Sequence, residues 1–498
     1  MSSDQQRKFD VIVWGATGFT GKLVCEYIAT KYPQLRWAVG GRSESKLCAV
    51  LSSLNVTKDV IVANLSDDTS MDALCSQTNV LISTAGPFAK LGTPVVAACI
   101  RSGTHYVDIT GEGQWVRSII DAYHEDAKSK QLKIIPCCGL DCLPSDMTHL
   151  LLTQQLKHLN CHAVNTVRLT VDSVKGGVSG GTVSSIYNMF ENLSTEELLR
   201  TTDPYYLYPR ATNSGPGPKG FSTKNPVLKP TSTSVHARAR DVLMPAFDTK
   251  FIQAFHRIYD QEECHTPWGL TMPWVMQAIN TRVVNRSIAL AQSEDKCKDG
   301  CDTSALVYTE ALQVPGTEGR HSEGPLRRLF NLFMGLIISF TYCCVMTPIT
   351  VCVLYFPLTR RLFKLLVLDP IQSGAGGPSK EEMKKGYFNG ISYGIGVRVK
   401  DSDLGKAGTD MQRAQEGPIE EVVVYGSVNI EGDAGYMKTA VMLTECALSL
   451  ALNADKLPSE AHNYGIVTPA IGLGTTVVDR LNDKSNGSSG ITFKVFNA

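Results

Sequence analysis

Gly15-Ala16-Thr17-Gly18-Phe19-Thr20-Gly21 stands between the apolar run Phe9–Trp14 and the segment Lys22–Thr30. A strand, a glycine turn and a helix start in that order predict a nucleotide site. Gly15 turns the backbone off the strand, Gly18 lets the main chain come close to a pyrophosphate, and Gly21 lets the helix pack tightly on the strand. The free N–H groups and the dipole of the first helical turn attract the phosphate charge. Thr17, Phe19 and Thr20 fill the same loop and count with it as cofactor-binding residues. The spacing is GxxGxxG rather than GxGxxG, and glycines also close ordinary turns, so the loop gains its meaning from the second strand and its end.

Roughly twenty residues further on, an NAD-preferring fold places an acidic residue against the ribose hydroxyls. Here the second apolar run, Trp37–Val39, ends in Gly40-Gly41-Arg42-Ser43. A guanidinium stacks on adenine and pairs with a 2′-phosphate, and the Ser43 hydroxyl adds a donor, so the expected cofactor is NADP(H). A solvated arginine after a strand is the plainer alternative.

A chain of 498 residues is too long for one ordinary core, so two domains are expected. Its 48 basic and 48 acidic residues balance, and no basic patch stands out, which argues against a nucleic-acid partner. The 15 scattered cysteines and the hydrophilic start Met1–Lys8 predict free thiols in a reducing compartment and no secretion. Cys297-x-x-x-Cys301 and Cys137-Cys138…Cys142 lack a second pair at ligand spacing, so no metal site is expected.

After the glycine loop, strands at Trp37–Val39, Val60–Ala63, Val80–Ser83, His105–Asp108 and Lys133–Cys137 alternate with helices. The helices are read from Ser43, around Ser70–Gln77, over Pro94–Ser102 and over Gln114–Gln131. Short apolar strands alternating with amphipathic helices predict an α/β fold, a Rossmann-type doubly wound parallel sheet. Ligands then lie at the carboxyl ends of the strands. There the small residues Ala85, Gly86 and Pro87 let backbone run along the cofactor. Asp108 and Glu112 offer one pair of carboxylates, Asp141 and Asp146 another. Paired carboxylates can perform acid/base work. Asp146 also suits a helix cap, the preferred reading for it. No catalytic acid or base is singled out.

Together these motifs resemble the saccharopine dehydrogenase-like oxidoreductases, a family that includes the trans-acting enoyl reductases of lipid synthesis. The resemblance rests on Gly15–Gly21, Ala38–Arg42, Thr84–Pro87, Tyr106–Glu112 and Gly139–Asp146. It continues through Gly180-Gly181-Thr182…Ser185, Thr281–Ser287, Gly377–Ser379, Gly435-Tyr436…Thr439 and Val467–Ala470, so it spans nearly the whole chain. Leu140, Cys142 and Leu143 depart from the family's usual Gly-Phe-Asp-Ser-Ile-Pro. The resemblance implies an NADP(H)-dependent reduction of a lipid-like, enoyl or similar substrate. Saccharopine or amino-acid dehydrogenation and a non-catalytic NADP-binding scaffold are the alternatives.

Beyond His149 the alternation stops. The nucleotide domain is expected over residues 1–148, completed by 434–498, with an inserted α+β domain over 149–433 for substrate or dimerisation, so a second copy of the chain is a candidate partner. Strands are expected at Thr166–Val174, Arg282–Ala291, Ala305–Val314 and Glu420–Glu431, in a mostly antiparallel sheet. A helix is expected at Val183–Leu199, headed by Gly181 and Thr182 as substrate-side candidates, with a Pro/Gly/Ser-rich loop over Thr201–Thr233. Asp433–Tyr436 opens a returning helix, Met437–Leu452, and the tail with its strand-like Ile491–Phe496 joins the nucleotide domain.

Leu329–Thr359 contains no charged residue, has Pro348 at its middle, and is flanked by Arg327-Arg328 and Arg360-Arg361. Its length suits a bilayer span, but a central proline and basic ends suit a hairpin in one leaflet or on a lipid droplet better. The expected location is therefore an intracellular membrane: droplet, mitochondrial or endoplasmic reticulum. A buried helical pair is the alternative.

Overall fold

The computed structural model describes residues 7–176, 184–185, 191, 193–201, 203–209, 271–272, 274, 276–292, 301–313, 333–334, 337, 356–369, 377–399, 419–485 and 487–497. The expected Val183–Leu199 helix is not continuous: 193–194 are not helical and Thr195–Arg200 forms a short helix of its own. Gly181, Thr182, most of the expected Thr201–Thr233 loop and most of Leu329–Thr359 lie outside the described residues.

The chain opens with β1 (Phe9–Trp14), α1 (Phe19–Lys31), β2 (Trp37–Gly41), α2 (Glu44–Ser53), β3 (Asp59–Val62) and α3 (Asp68–Cys75). It continues with β4 (Thr78–Ser83), α4 (Phe88–Ser102), β5 (His105–Asp108), α5 (Gly113–Ser129), β6 (Lys133–Ile135) and α6 (Leu143–His158). These strands lie parallel in the order 3-2-1-4-5-6, and all six residues of β1 are buried. A strand so placed needs apolar residues on both faces, which is why Phe9–Trp14 does not alternate. The order reverses between β1 and β4, so the glycine loop and the Thr84–Pro87 loop flank the crevice where open sheets bind ligands.

Two boundaries differ from those expected. Helix α4 starts at Phe88 and carries Pro94 inside it. The sheet does not end at β6, because a seventh parallel strand, β12 (Gly465–Ile466), pairs with it from the far end of the chain. A two-residue strand leaves no periodic signal.

The second sheet runs β13-β11-β10-β7-β9-β8, with β7 (Ala163–Lys175), β8 (Thr271–Met272), β9 (Val307–Gln313), β10 (Tyr387–Val399), β11 (Ile419–Glu431) and β13 (Ile491–Asn497). It is mixed: β7 and β9 are parallel, the other pairs antiparallel. Three expectations are corrected here. Arg282–Ala291 is not a strand but part of helix α7 (Gln277–Gln292), packed against α6 and β9. Val283, Val284 and Ile288 favour a strand by propensity, yet this segment is buried on every side, and burial outweighs propensity. The central strand β10 is absent from the expected strands because Gly390, Gly394 and Gly396 look like turns; Gly390 instead makes room for Val428 and Leu169 of the neighbouring strands, and Gly394 and Gly396 are where α6 and Cys161 press on the sheet. A Cβ on Gly394 would stand 3.1 Å from Leu156 Cδ1, and one on Gly396 2.9 Å from Cys161 Sγ. The tail strand β13 joins this sheet through β11, not the nucleotide sheet.

Helix α6 spans residue 148 and packs on β7, β10 and β11, so one helix belongs to both cores. Helix α8 (Met437–Leu452) returns onto α1, β1, β4 and β5. Glu445 fastens it there: its buried carboxylate accepts from Tyr27 Oη and Tyr32 Oη at 2.6 Å and from Arg480 Nε at 2.8 Å.

Candidate functional site

The glycine loop is held by its own backbone. Gly15 has φ +85°, a left-handed value that favours glycine, and its carbonyl accepts from Gly18 N–H at 2.9 Å and Thr84 Oγ1 at 3.1 Å. Gly21 lies so close to this turn that a Cβ would stand 2.3 Å from the Gly15 carbonyl oxygen. Gly18 is different. Its φ of −71° suits any residue, and a Cβ there would meet only the Gly15 carbonyl oxygen, at 3.3 Å. Space therefore lies open in front of it. Gly18 is also the N-cap of α1 and has no side chain to close the first turn, so that turn can receive an anion. These features fit a pyrophosphate. The exposed Thr17 and half-buried Thr20 border the loop, and the half-buried Phe19 ring meets Tyr436 edge-on at 5.4 Å.

Arg42 follows β2, exposed, and borders a hollow of about 470 Å³ with Val62, Ala63, Asn64, Asp67 and Ser70. Ser43 is the N-cap of α2, and its hydroxyl lies 3.2 Å from that of Ser45. Across the crevice Thr84 ties its loop to β1, with Ala85 half-buried beside Gly15, Gly86 exposed and Pro87 capping α4. The structure thus brings Gly15–Gly21 and Ala85–Pro87 to the switch point and Arg42 to the end of the neighbouring strand.

The carboxylates separate by task. Asp108 is buried and accepts from Tyr106 Oη at 2.8 Å, Thr110 N–H at 2.9 Å and Cys137 N–H at 3.1 Å. Burial pushes its carboxyl up to about 7 despite those bonds. Glu112 accepts from the Phe88 and Ala89 N–H groups at 2.8 and 3.0 Å and from Ser185 Oγ at 2.9 Å, closing the N-terminus of α4. Asp146 does not cap its own helix, whose N-cap is Cys142. It accepts from Ser287 Oγ and, at 2.8 Å, from Ala470 N–H, joining α6 to α7 and to the Pro469–Leu473 turn of helix; burial pushes it up to about 7.

Asp141 faces a cavity of about 380 Å³, walled also by Thr20, Leu140, Val174, Trp274 and Tyr436. Its loop is fixed by Thr439, whose Oγ1 accepts from Leu140 N–H at 3.0 Å and donates to the Ala434 carbonyl at 2.9 Å. Burial alone raises the Asp141 carboxyl to about 7. Behind it Glu310, also raised to about 7 by burial, accepts from Ser145 Oγ at 2.9 Å and Asn280 Nδ2 at 3.0 Å. The sequence assigns no role to Glu310, Trp274, Tyr436 or Thr439, although Tyr436 and Thr439 lie in a matching block. Only the packing of α8 against the Gly139–Asp141 loop brings them to the cavity. Among the described residues no cluster could hold a metal ion.

Residues 11–135 match the family model described as the saccharopine dehydrogenase NADP binding domain. Over 95% of its length the chain is 29% identical to 96% of a Mycobacterium tuberculosis protein provisionally assigned as a trans-acting enoyl reductase. Over 96% it is 27% identical to 97% of the trans-acting enoyl reductase of Mycobacterium bovis BCG. A solved structure, the apo saccharopine dehydrogenase (L-Glu forming) of Saccharomyces cerevisiae, covers 98% of this chain and 100% of its own at 13% identity and a TM-score of 0.43. The chain carries a saccharopine dehydrogenase NADP-binding domain, which implies NADP(H), and is distantly related along its length to mycobacterial trans-acting enoyl reductases.

Proposed function

We propose that this chain, with its saccharopine dehydrogenase NADP-binding domain, reduces an activated carbon–carbon double bond in a lipid-like substrate, such as an enoyl thioester. The observation that carries the reading is the cavity beside the glycine loop, with Thr20 on the cofactor side and Leu140, Val174, Trp274 and Met276 on the other. Bound NADPH would supply a hydride there. The chain's own part is to hold the phosphates at the α1 N-terminus, to seat an acyl chain on apolar walls, and to exclude water from the reacting carbons. Saccharopine, which carries three carboxylates, fits less well: among the described residues that wall the cavity, Lys175 is the one cation, and it is exposed. The test is NADPH oxidation monitored with an enoyl thioester and with saccharopine. Turnover of the first and not the second is expected. Turnover of saccharopine alone would replace this reading, and binding of NADPH with no turnover of either would leave a scaffold.

The substrate's class also suits a lipid surface as partner. In the helical stretch 357–369, Leu358, Leu362, Leu365 and Leu366 are between 47% and 69% exposed, and Arg361 is exposed beside them. This stretch continues the uncharged run Leu329–Thr359, and apolar side chains with basic neighbours suit acyl tails below phosphate heads. Among the described residues no helix is long and apolar enough to cross a membrane. Replacing Leu329–Thr359 with a short flexible linker should move the protein from the membrane or droplet fraction to the soluble one with NADPH binding kept. Loss of NADPH binding instead would make the stretch part of the core.

A further inference from the structure

Asp141 is the one carboxyl among the described residues that wall the 380 Å³ cavity. Its Oδ1 is shielded from solvent and has no hydrogen-bond partner among the described residues. The other polar walls are committed or remote: Thr439 bonds to Leu140 and Ala434, Tyr436 packs on Phe19, and Lys175 stands exposed at the end of β7. The charged form of Asp141 would also face Glu310, Cys137 and Cys142, none of which brings a positive charge. A carboxyl in such a place is kept as the neutral acid, and a neutral acid on the wall of a reaction cavity can serve as a proton donor.

We propose that Asp141 is the catalytic acid of the reduction described above, on which this inference rests, and that it delivers its proton to the α-carbon of the double bond. NADPH, when bound, would supply the hydride, a proton with two electrons, that forms the new C–H bond at the β-carbon. The π bond breaks and its electron pair passes to the α-carbon, where the conjugated thioester carbonyl shares the charge. That carbon takes the Asp141 proton as the carboxyl O–H bond breaks. The carboxylate then recovers a proton from water at the cavity mouth. Burial, which raises the Asp141 carboxyl to about 7, keeps the acid form populated at neutral pH.

Two measurements test this. In cofactor-free protein, the infrared carbonyl band of protonated carboxyls should lose one component in Asp141→Asn. That component should titrate near neutral pH in the unaltered protein, apart from the Asp108, Asp146 and Glu310 components that both proteins keep. In turnover with an enoyl thioester, Asp141→Asn should lower kcat about a hundredfold or more with unchanged NADPH affinity. Asp141→Glu should recover part of the rate, and formate should rescue Asp141→Ala. If Asp141→Asn fails to fold, Asp141→Glu decides in its place: its turnover must fall below that of the unaltered protein, and the infrared component that shifts in it must titrate near neutral pH. No turnover by the unaltered protein overturns the reduction itself. Turnover that survives Asp141→Asn at full rate, or an Asp141 carboxyl ionised well below neutral pH, overturns the acid alone.

Discussion

The two ends of the crevice handle charge in opposite ways. At the Arg42 end the guanidinium is exposed beside a hollow of about 470 Å³, and the first turn of α1 is uncapped, so positive potential meets open water. At the Asp141 end four carboxyls, Asp108, Asp141, Asp146 and Glu310, are each pushed up to about 7 by burial. The first arrangement waits for an anion and needs little from the fold beyond backbone placement. The second keeps protons where water would remove them, and needs a closed, well-packed junction of both sheets. Binding and proton handling are thus divided between a surface and an interior.

The sharpest way to break the comparison is at the glycine loop. Gly18→Val adds a side chain into the space in front of the uncapped helix, where the pyrophosphate would lie, and meets only the Gly15 carbonyl oxygen at 3.3 Å within the protein. It should abolish NADPH binding, read by calorimetry or fluorescence titration, with little change in melting temperature. Gly21→Val is the control, because its Cβ would stand 2.3 Å from the same oxygen and should unfold the domain. Retained binding in Gly18→Val would put the phosphates elsewhere.

The next test acts on the buried end. The Glu310 carboxyl is raised from 4.5 to about 7, so the folded state binds its proton more tightly than the unfolded chain does. The stability tied to that proton is complete below the unfolded value and is lost as pH rises through about 7. Glu310→Gln keeps a neutral group of the same shape and can still meet Asn280, whose Oδ1 has no partner among the described residues. Its stability relative to the unaltered protein should therefore grow between the two values and level off above them, by roughly 3 kcal/mol in denaturant melts. A difference that is flat with pH would mean that Glu310 is ionised throughout.

The same contrast explains what is legible in the chain alone. Each part of the cofactor end follows its own strand, Gly15 after β1, Arg42 after β2 and Ala85 after β4, so local pattern is enough to find it. The acidic end is assembled from the end of β5, the loop after β6, strand β9, helix α7 and the turn before α8, and no short window of sequence contains two of its carboxyls except Asp141 and Asp146. Asp146 misleads because the helix it caps lies more than three hundred residues away, at Ala470. Helix α7 misleads because its polar residues, Asn280, Arg286 and Ser287, are buried with partners and so break the amphipathic stripe.

The smallest expected effect returns to Arg42. An exposed guanidinium beside a wide hollow is screened by salt and holds a 2′-phosphate less firmly than a buried one would. A charge-assisted bond still distinguishes a phosphate from a hydroxyl at that position. Arg42→Ala should weaken NADPH by about tenfold and leave NADH nearly unchanged, so the ratio of the two affinities falls by the same factor. The loss should shrink as ionic strength rises, because exposure admits counterions. An unchanged ratio would remove Arg42 from the site and leave the open end of the crevice held by backbone alone, whereas a loss that salt does not touch would mean that the guanidinium becomes buried once the nucleotide is bound.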